Sequence, residues 1–146
     1  MDLDTRVKLA VYRASAEEGT PPLLEDVARR VQAPAPTVRE AYGRLAASRL
    51  LVLEPDGATI RMAPPFSGVP TQHRVNVDGV AYYANCAWDA LGIPAALRRP
   101  GDIHSRCEQS LEPLHLAVQV DGPAPSPWLF HCLVPAARWW QDIVFT

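Results

Sequence analysis

Apolar residues recur at helical spacing through the first fifty positions and at every second position from Leu114 onward. This change of period constrains the fold more than any other feature, because a stripe that repeats every 3.6 residues cannot pack as a strand, nor an alternating one as a helix. "DTRVKLAVYRASAEEG" puts Val7, Ala10, Val11 and Ala14 on one face, with Asp4 as the expected N-cap and Gly19 just past the end. "LLEDVARRVQ" gives a second helix with Leu24, Val27 and Val31 as its stripe. Thr37 is the expected cap of a third, "VREAYGRLAASRL", with Val38, Ala41, Tyr42 and Leu45 turned inward. "LLVLEPDGATIRM" then reads as two short strands around a Pro-Asp-Gly turn.

The later pattern is different. "LHLAVQVDG" alternates Leu114, Leu116, Val118 and Val120 against polar or small residues, and "WLFHCLV" alternates Trp128, Phe130, Cys132 and Val134, so each reads as a half-buried strand. "DIVFT" reads as a further strand. "PPFSGVPTQHRV" is the expected proline-punctuated connector between the halves. The fold class expected is α+β: a three-helix, winged-helix-like unit over 1–65, then a small mixed sheet packed with helices over 66–146.

In a winged-helix arrangement the third helix is the one that would enter a DNA groove, and it carries Arg39, Arg44 and Arg49. Within residues 1–65, however, nine Lys and Arg balance nine Asp and Glu. A nucleic-acid reader ordinarily shows a basic footprint, so a structural or substrate-covering role is expected here and no nucleic-acid partner. The whole chain has a formal net charge of −2, which favours no anionic membrane either. Its fifteen prolines are spread through short loops such as "TPP", "APAP" and "PAPSP" and punctuate elements instead of forming a tail. No run has the length of a membrane span, and the acidic start does not resemble a signal peptide, so a cytoplasmic protein is expected. Three widely spaced cysteines, Cys86, Cys107 and Cys132, suit reduced thiols better than a disulfide framework.

"DGVAYYANCAWDALGIP" is expected to form one helix, capped by Asp78 and stopped by Gly92 and Pro94. On it Cys86 and Asp89 are i and i+3 neighbours, close enough for both to touch one small ligand atom. A carboxyl in such an apolar segment is costly to ionise, which raises its pKa and keeps a proton available beside a soft nucleophile. The plainer interpretation is a core cysteine with an aspartate bonded to a backbone amide.

"PPFSGVPTQHRV", the Cys-x-x-Asp of "NCAWDALGIP", "IHSRCEQ" and "VPAARWWQDIVFT", in that order, resemble the alkylmercury lyase family, whose members also carry an N-terminal winged-helix-like segment. The resemblance implies that Cys86 binds mercury as a thiolate and that Asp89 carries the proton to the carbon leaving group. The residue types suit the chemistry, because mercury(II) is a very soft ion that prefers sulfur, and a positioned acid can protonate the departing carbon. No separate cofactor is implied, since mercury enters as part of the substrate or product. The family's second mercury-binding cysteine falls at or just past the last residue of this sequence, and nothing here matches it. An end on "VFT" is expected of a chain cut inside a strand or of a shortened family member. Cys107 matches a family cysteine usually taken as structural, and Cys132, expected to pack in the core, is the local substitute for a second thiol. Zinc is disfavoured, because His104 with Cys107 and His131 with Cys132 lack paired Cys-x-x-Cys spacing. Trp139 and Trp140 are expected to pack over the sheet or wall a pocket.

Three functions follow as expectations. The first is an enzyme that cleaves a carbon–mercury bond, with a small organomercurial as its partner molecule. The second is a repurposed relative binding a soft metal or another thiol-reactive molecule, and the third is a winged-helix regulator.

Overall fold

A computed structural model describes residues 1–145. Helix α1 spans Leu3–Glu18, α2 Leu24–Val31 and α3 Ala35–Ala47. The inward residues are those the spacing requires: Val7, Val11 and Ala14 on α1, Val27 and Val31 on α2, and Val38, Ala41, Tyr42 and Leu45 on α3. Two caps differ from expectation. Asp2 caps α1 by accepting from the Thr5 amide at 2.8 Å. Asp4, within the first turn, instead takes the Arg44 guanidinium of α3 in a two-pronged pair at 2.8 Å each. Helix α3 begins before Thr37, after Pro34, with proline tolerated in its first turn because those amides lack intrahelical partners. Gly19, at φ 82°, ends α1 as expected.

Strands β1 (Val52–Leu53) and β2 (Ile60–Ala63) form the expected hairpin. The Asp56 carboxylate holds its turn, accepting from the Ala58 and Thr59 amides and the Thr59 hydroxyl. The chain then continues into the same sheet through β3 (Phe66–Ser67), β4 (His73–Val77), β5 (Val80–Ala84), β6 (Gly101–Arg106), β7 (Pro113–Gln119) and β8 (Gly122–Pro123). The stretch expected as a connector therefore supplies β3 and the start of β4. Strand order is β1-β2-β3-β5-β4-β6-β7-β8, and every described ladder is antiparallel, so the mixed sheet expected is not found. The reason is topological. β5 and β6 both run antiparallel to β4 and thus parallel to each other, but β4 lies between them. Helix α4 (Ala87–Leu97) makes the crossover and lies against β4 through β7.

The expected helix over 78–91 is only half a helix. Asp78 and Gly79, at φ 49° and 82°, form a two-residue turn that pairs Val77 with Val80, so the first part of the segment is β5. Asp-Gly between alternating apolar residues is a hairpin signal that outweighs the apolar run following it. At the far end, Gly92 and Pro94 do not stop the helix, which runs to Leu97 with Arg98 in the left-handed region. Pro94 is buried against the sheet, and that packing outweighs its missing amide.

Two apolar clusters fill the interior. Val7, Val11, Val27, Val38, Tyr42, Leu51 and Ile60 belong to the first, and Phe66, Val75, Tyr82, Ala90, Ile93, Ile103 and Val118 to the second. Tyr12 packs against both. Direct ties join them: the Tyr82 hydroxyl donates to the Ala16 carbonyl at 2.6 Å, and a Cβ on Gly19 would stand 2.4 Å from the Ala81 carbonyl.

Beyond β8 the expected strands are absent from the described residues. Trp128–Val134 pairs with nothing in the sheet: β8 pairs only with Val118 and Gln119 of β7, and Pro123, Pro125 and Pro127 have no amide to donate. Ala136–Gln141 is a short 3-10 helix, and the residues after it form turns; Thr146 lies outside the described residues. No described helix is long and apolar enough to cross a membrane.

Candidate active site

Strand β5 delivers the chain to Cys86, which is the N-cap of α4 with extended backbone at φ −144° and ψ 177°. Its carbonyl accepts the Ala90 amide at 3.0 Å, so the helix starts at the cysteine. The thiol points toward the amides of Trp88 and Asp89 without closing a full capping bond. Asp89, one turn on, is half-buried, as is Cys86. The structure thus brings together the two residues singled out by spacing, but at the mouth of a helix and not along its middle.

Burial dominates the electrostatics. It raises the Asp89 pKa from 3.8 to about 6, with the Cys86 thiol's hydrogen bond opposing it. Cys86 is also raised, chiefly by burial and further by the adjacent carboxylate, while the helix amides pull the other way. Near neutral pH the pair is a thiol donating to a carboxyl that exchanges its own proton readily.

Beside the end of β5, two residues before Cys86, lies a polar cluster on the neighbouring strands. His73 stands opposite Ala84, and its Nδ1 meets the Ser105 hydroxyl at 2.7 Å. Burial lowers the His73 pKa and favours a neutral imidazole. Thr71 donates its hydroxyl to the Ala84 carbonyl, fixing the end of β5. Ala90 and Ile93, both fully buried, close the inner side of the helix.

The outer side is bounded by the C-terminal segment. The Asn85 amide group donates to the Ile143 carbonyl at 3.2 Å, and the Trp88 and Phe130 rings lie 5.7 Å apart, tilted by 47°. Neither Asn85 nor Trp88 stood out in the sequence. Their position immediately beside Cys86 was the available signal.

The other cysteines are not gathered at this point. All three thiols are free. Cys132 is exposed and not in a strand, contrary to the core position expected, and its thiol donates to the Val134 carbonyl at 2.8 Å. Cys107 lies in the turn after β6, where the Ser110 hydroxyl and the Ser110 and Gln109 amides lower its pKa. His104 stacks on His115 at 4.6 Å, and His115 Nε2 meets Asp102 at 3.2 Å. Among the described residues no group of three or more His, Cys, Asp or Glu is arranged to hold a metal ion. The Trp139 indole donates to the Val134 carbonyl at 2.7 Å within the C-terminal segment. Two surface grooves lie elsewhere, one between α1 and α2 and one beside β3 and β5, and neither is lined by Cys86 or Asp89.

Comparison with known proteins gives consistent results. The family model described as alkylmercury lyase matches residues 66–146. An alkylmercury lyase of Staphylococcus epidermidis is 33% identical over 104 residues, covering 71% of this chain and 46% of that protein. One from Bacillus cereus is 43% identical over 53 residues, 36% of this chain and 24% of that protein. The chain therefore spans less than half the length of these curated relatives. Among solved structures, the crystal structure of the mercury-bound form of MerB2 superposes with a TM-score of 0.65 at 25% identity, covering 84% of this chain and 60% of that one.

Proposed function

The chain belongs to the alkylmercury lyase family, and on that premise we propose that it cleaves carbon–mercury bonds with Cys86 as the mercury ligand and Asp89 as the acid. The observation that carries this reading is the half-buried Asp89 carboxyl, with its pKa raised to about 6, one turn from a thiol at the mouth of α4. When an organomercurial binds, the Cys86 sulfur displaces the anionic ligand that mercury carries beside its organic group, and the thiol's proton passes to Asp89. The carbon–mercury bond then breaks, the carbon takes that proton and leaves as a hydrocarbon, and mercury(II) stays on sulfur. Softness explains the cysteine, and a carboxylate whose raised pKa lets it take up and return a proton near neutral pH explains the aspartate.

Cys132 enters the same proposal as the second candidate thiol, since its segment carries Phe130 against Trp88. The division at 65/66 enters as well, with the three-helix unit as a cover and not a DNA reader. Its support is that Arg44 is clasped by Asp4 and Arg39 donates to the Asp56 carbonyl.

Two variants test the assignment. Cys86→Ser is expected to remove the tightest mercury(II) site in a titration. Asp89→Asn should keep that site while benzene release from phenylmercury falls by about 10² to 10⁴, the usual contribution of a positioned acid. Mercury affinity unchanged in Cys86→Ser would reject the ligand assignment. Binding through Cys86 without hydrocarbon release in the wild type would favour the repurposed soft-metal binder.

A further inference from the structure

The C-terminal segment is fastened on either side of Cys86. The Asn85 side chain holds the Ile143 carbonyl at 3.2 Å, and two residues past the cysteine the Trp88 ring leans on Phe130. Both rings keep much of their surface open, Trp88 at 54% and Phe130 at 45% exposed. Trp88 and Phe130 thus present adjoining apolar surface to solvent, beginning two residues from the reactive cysteine. A residue serving only to hold the segment down would be expected to bury its ring.

The chemistry of the bound species selects the occupant. Mercury carrying one thiolate and one carbon is two-coordinate and close to linear, so its organic group projects beyond the sulfur. The inner side of the helix is closed by Ala90 and Ile93, both fully buried. On the outer side the tilted pair of open rings offers an apolar surface to such a group. A methyl group would touch these rings little, whereas a planar aryl group can lie on one and meet the edge of the other.

We propose that Trp88 and Phe130 form an aromatic wall that receives the organic group of a mercurial held on Cys86 and selects aryl over methyl compounds. This inference rests on the assignment of Cys86 as the mercury ligand. The two rings act on binding and need not touch the reacting atoms.

Equilibrium competition against glutathione, with phenylmercury and methylmercury as probes and mercury measured on the protein, tests the inference without requiring turnover. Subtracting the Cys86→Ser protein isolates the relevant site. Relative to glutathione, the wild type is expected to favour phenylmercury by about tenfold, equivalent to ~1.4 kcal/mol. Phe130→Ala and Trp88→Ala should each reduce that preference to near parity while leaving methylmercury binding unchanged. Phe130→Tyr should retain it, and Leu129→Ala, at a fully open neighbouring position, should not alter it. Cys86-dependent binding with no aryl preference, or a preference surviving both deletions, overturns the wall alone. Absence of Cys86-dependent binding overturns the ligand assignment and the wall together.

Discussion

Asp89 carries a testable conflict between stability and chemistry. Its pKa is raised from 3.8 to about 6 in the folded protein because burial disfavours the charged form. Between those two pH values the folded state binds more protons than the unfolded state, so stability falls as pH rises through that window. Below pH 4 the carboxyl is neutral in both states and the penalty is absent. Above pH 6 it is fully present, at about 3 kcal/mol. Asp89→Asn is therefore expected to melt several degrees higher than wild type at pH 8, with the two curves converging by pH 4. A lower melting point for the variant at pH 8 would mean that the carboxylate is a structural acceptor. In the proposed step Asp89 must be a carboxylate to take the thiol's proton, so turnover should decline as pH falls below about 6, which a pH profile of benzene release would check. The pairing of Cys86 with Asp89 was legible because i and i+3 spacing survives a shift in the helix start. The cap position was not, since it depends on where a hairpin ends.

At the scale of elements, α4 approaches the sheet closely because Gly101 has no side chain. A Cβ there would stand 2.9 Å from Val77 Cγ2, 3.0 Å from the Asn76 carbonyl and 3.1 Å from Pro94 Cγ. Gly101→Ala should cost about 1 to 3 kcal/mol, the range for overpacking a tight interior, measured by urea unfolding. It should also weaken mercury binding at Cys86, since the helix that the cysteine caps must move. An unchanged unfolding midpoint would show that the helix yields freely. This contact explains an error of reading as well. Pro94 looks like a terminator in sequence, but the surface on which it packs comes from β4 and β6. Strand β6 itself was missed because Ile103 is its single large apolar residue. The strand expected at Trp128–Val134 did not form although alternation was present: the chain between β8 and Trp128 carries Pro123, Pro125 and Pro127, which have no amide to continue a ladder.

Across the whole molecule, the two apolar clusters are tied through Tyr12, the Tyr82–Ala16 hydrogen bond and a sheet continuous from β2 to β3. The β2–β3 ladder runs unbroken across 65/66, between the two clusters. Cooperative unfolding is therefore expected, with the slowest-exchanging amides of α1 and β4 sharing one opening free energy in hydrogen exchange. Markedly faster exchange throughout α1 would indicate that the three helices open separately. The three-helix unit and its inward residues were readable because local contacts dominate it. The order of the eight strands was not, because it is decided by pairings between distant segments.

The three thiols differ in how readily they meet a reagent. Cys107 sits in a turn whose hydroxyl and amides favour the thiolate, Cys132 is exposed, and Cys86 is half-buried with its proton held more tightly. An electrophile supplied in limiting amount should therefore be consumed first at Cys107, ahead of Cys86, the mercury ligand proposed above. Timed iodoacetamide alkylation followed by peptide mass spectrometry should show Cys107 modified earliest and Cys86 last; early labelling of Cys86 would reverse that order. If the labelling follows that order, the turn after β6 makes Cys107 a kinetic decoy, and a mercurial in short supply would reach the proposed site at the helix mouth by exchange from thiol to thiol.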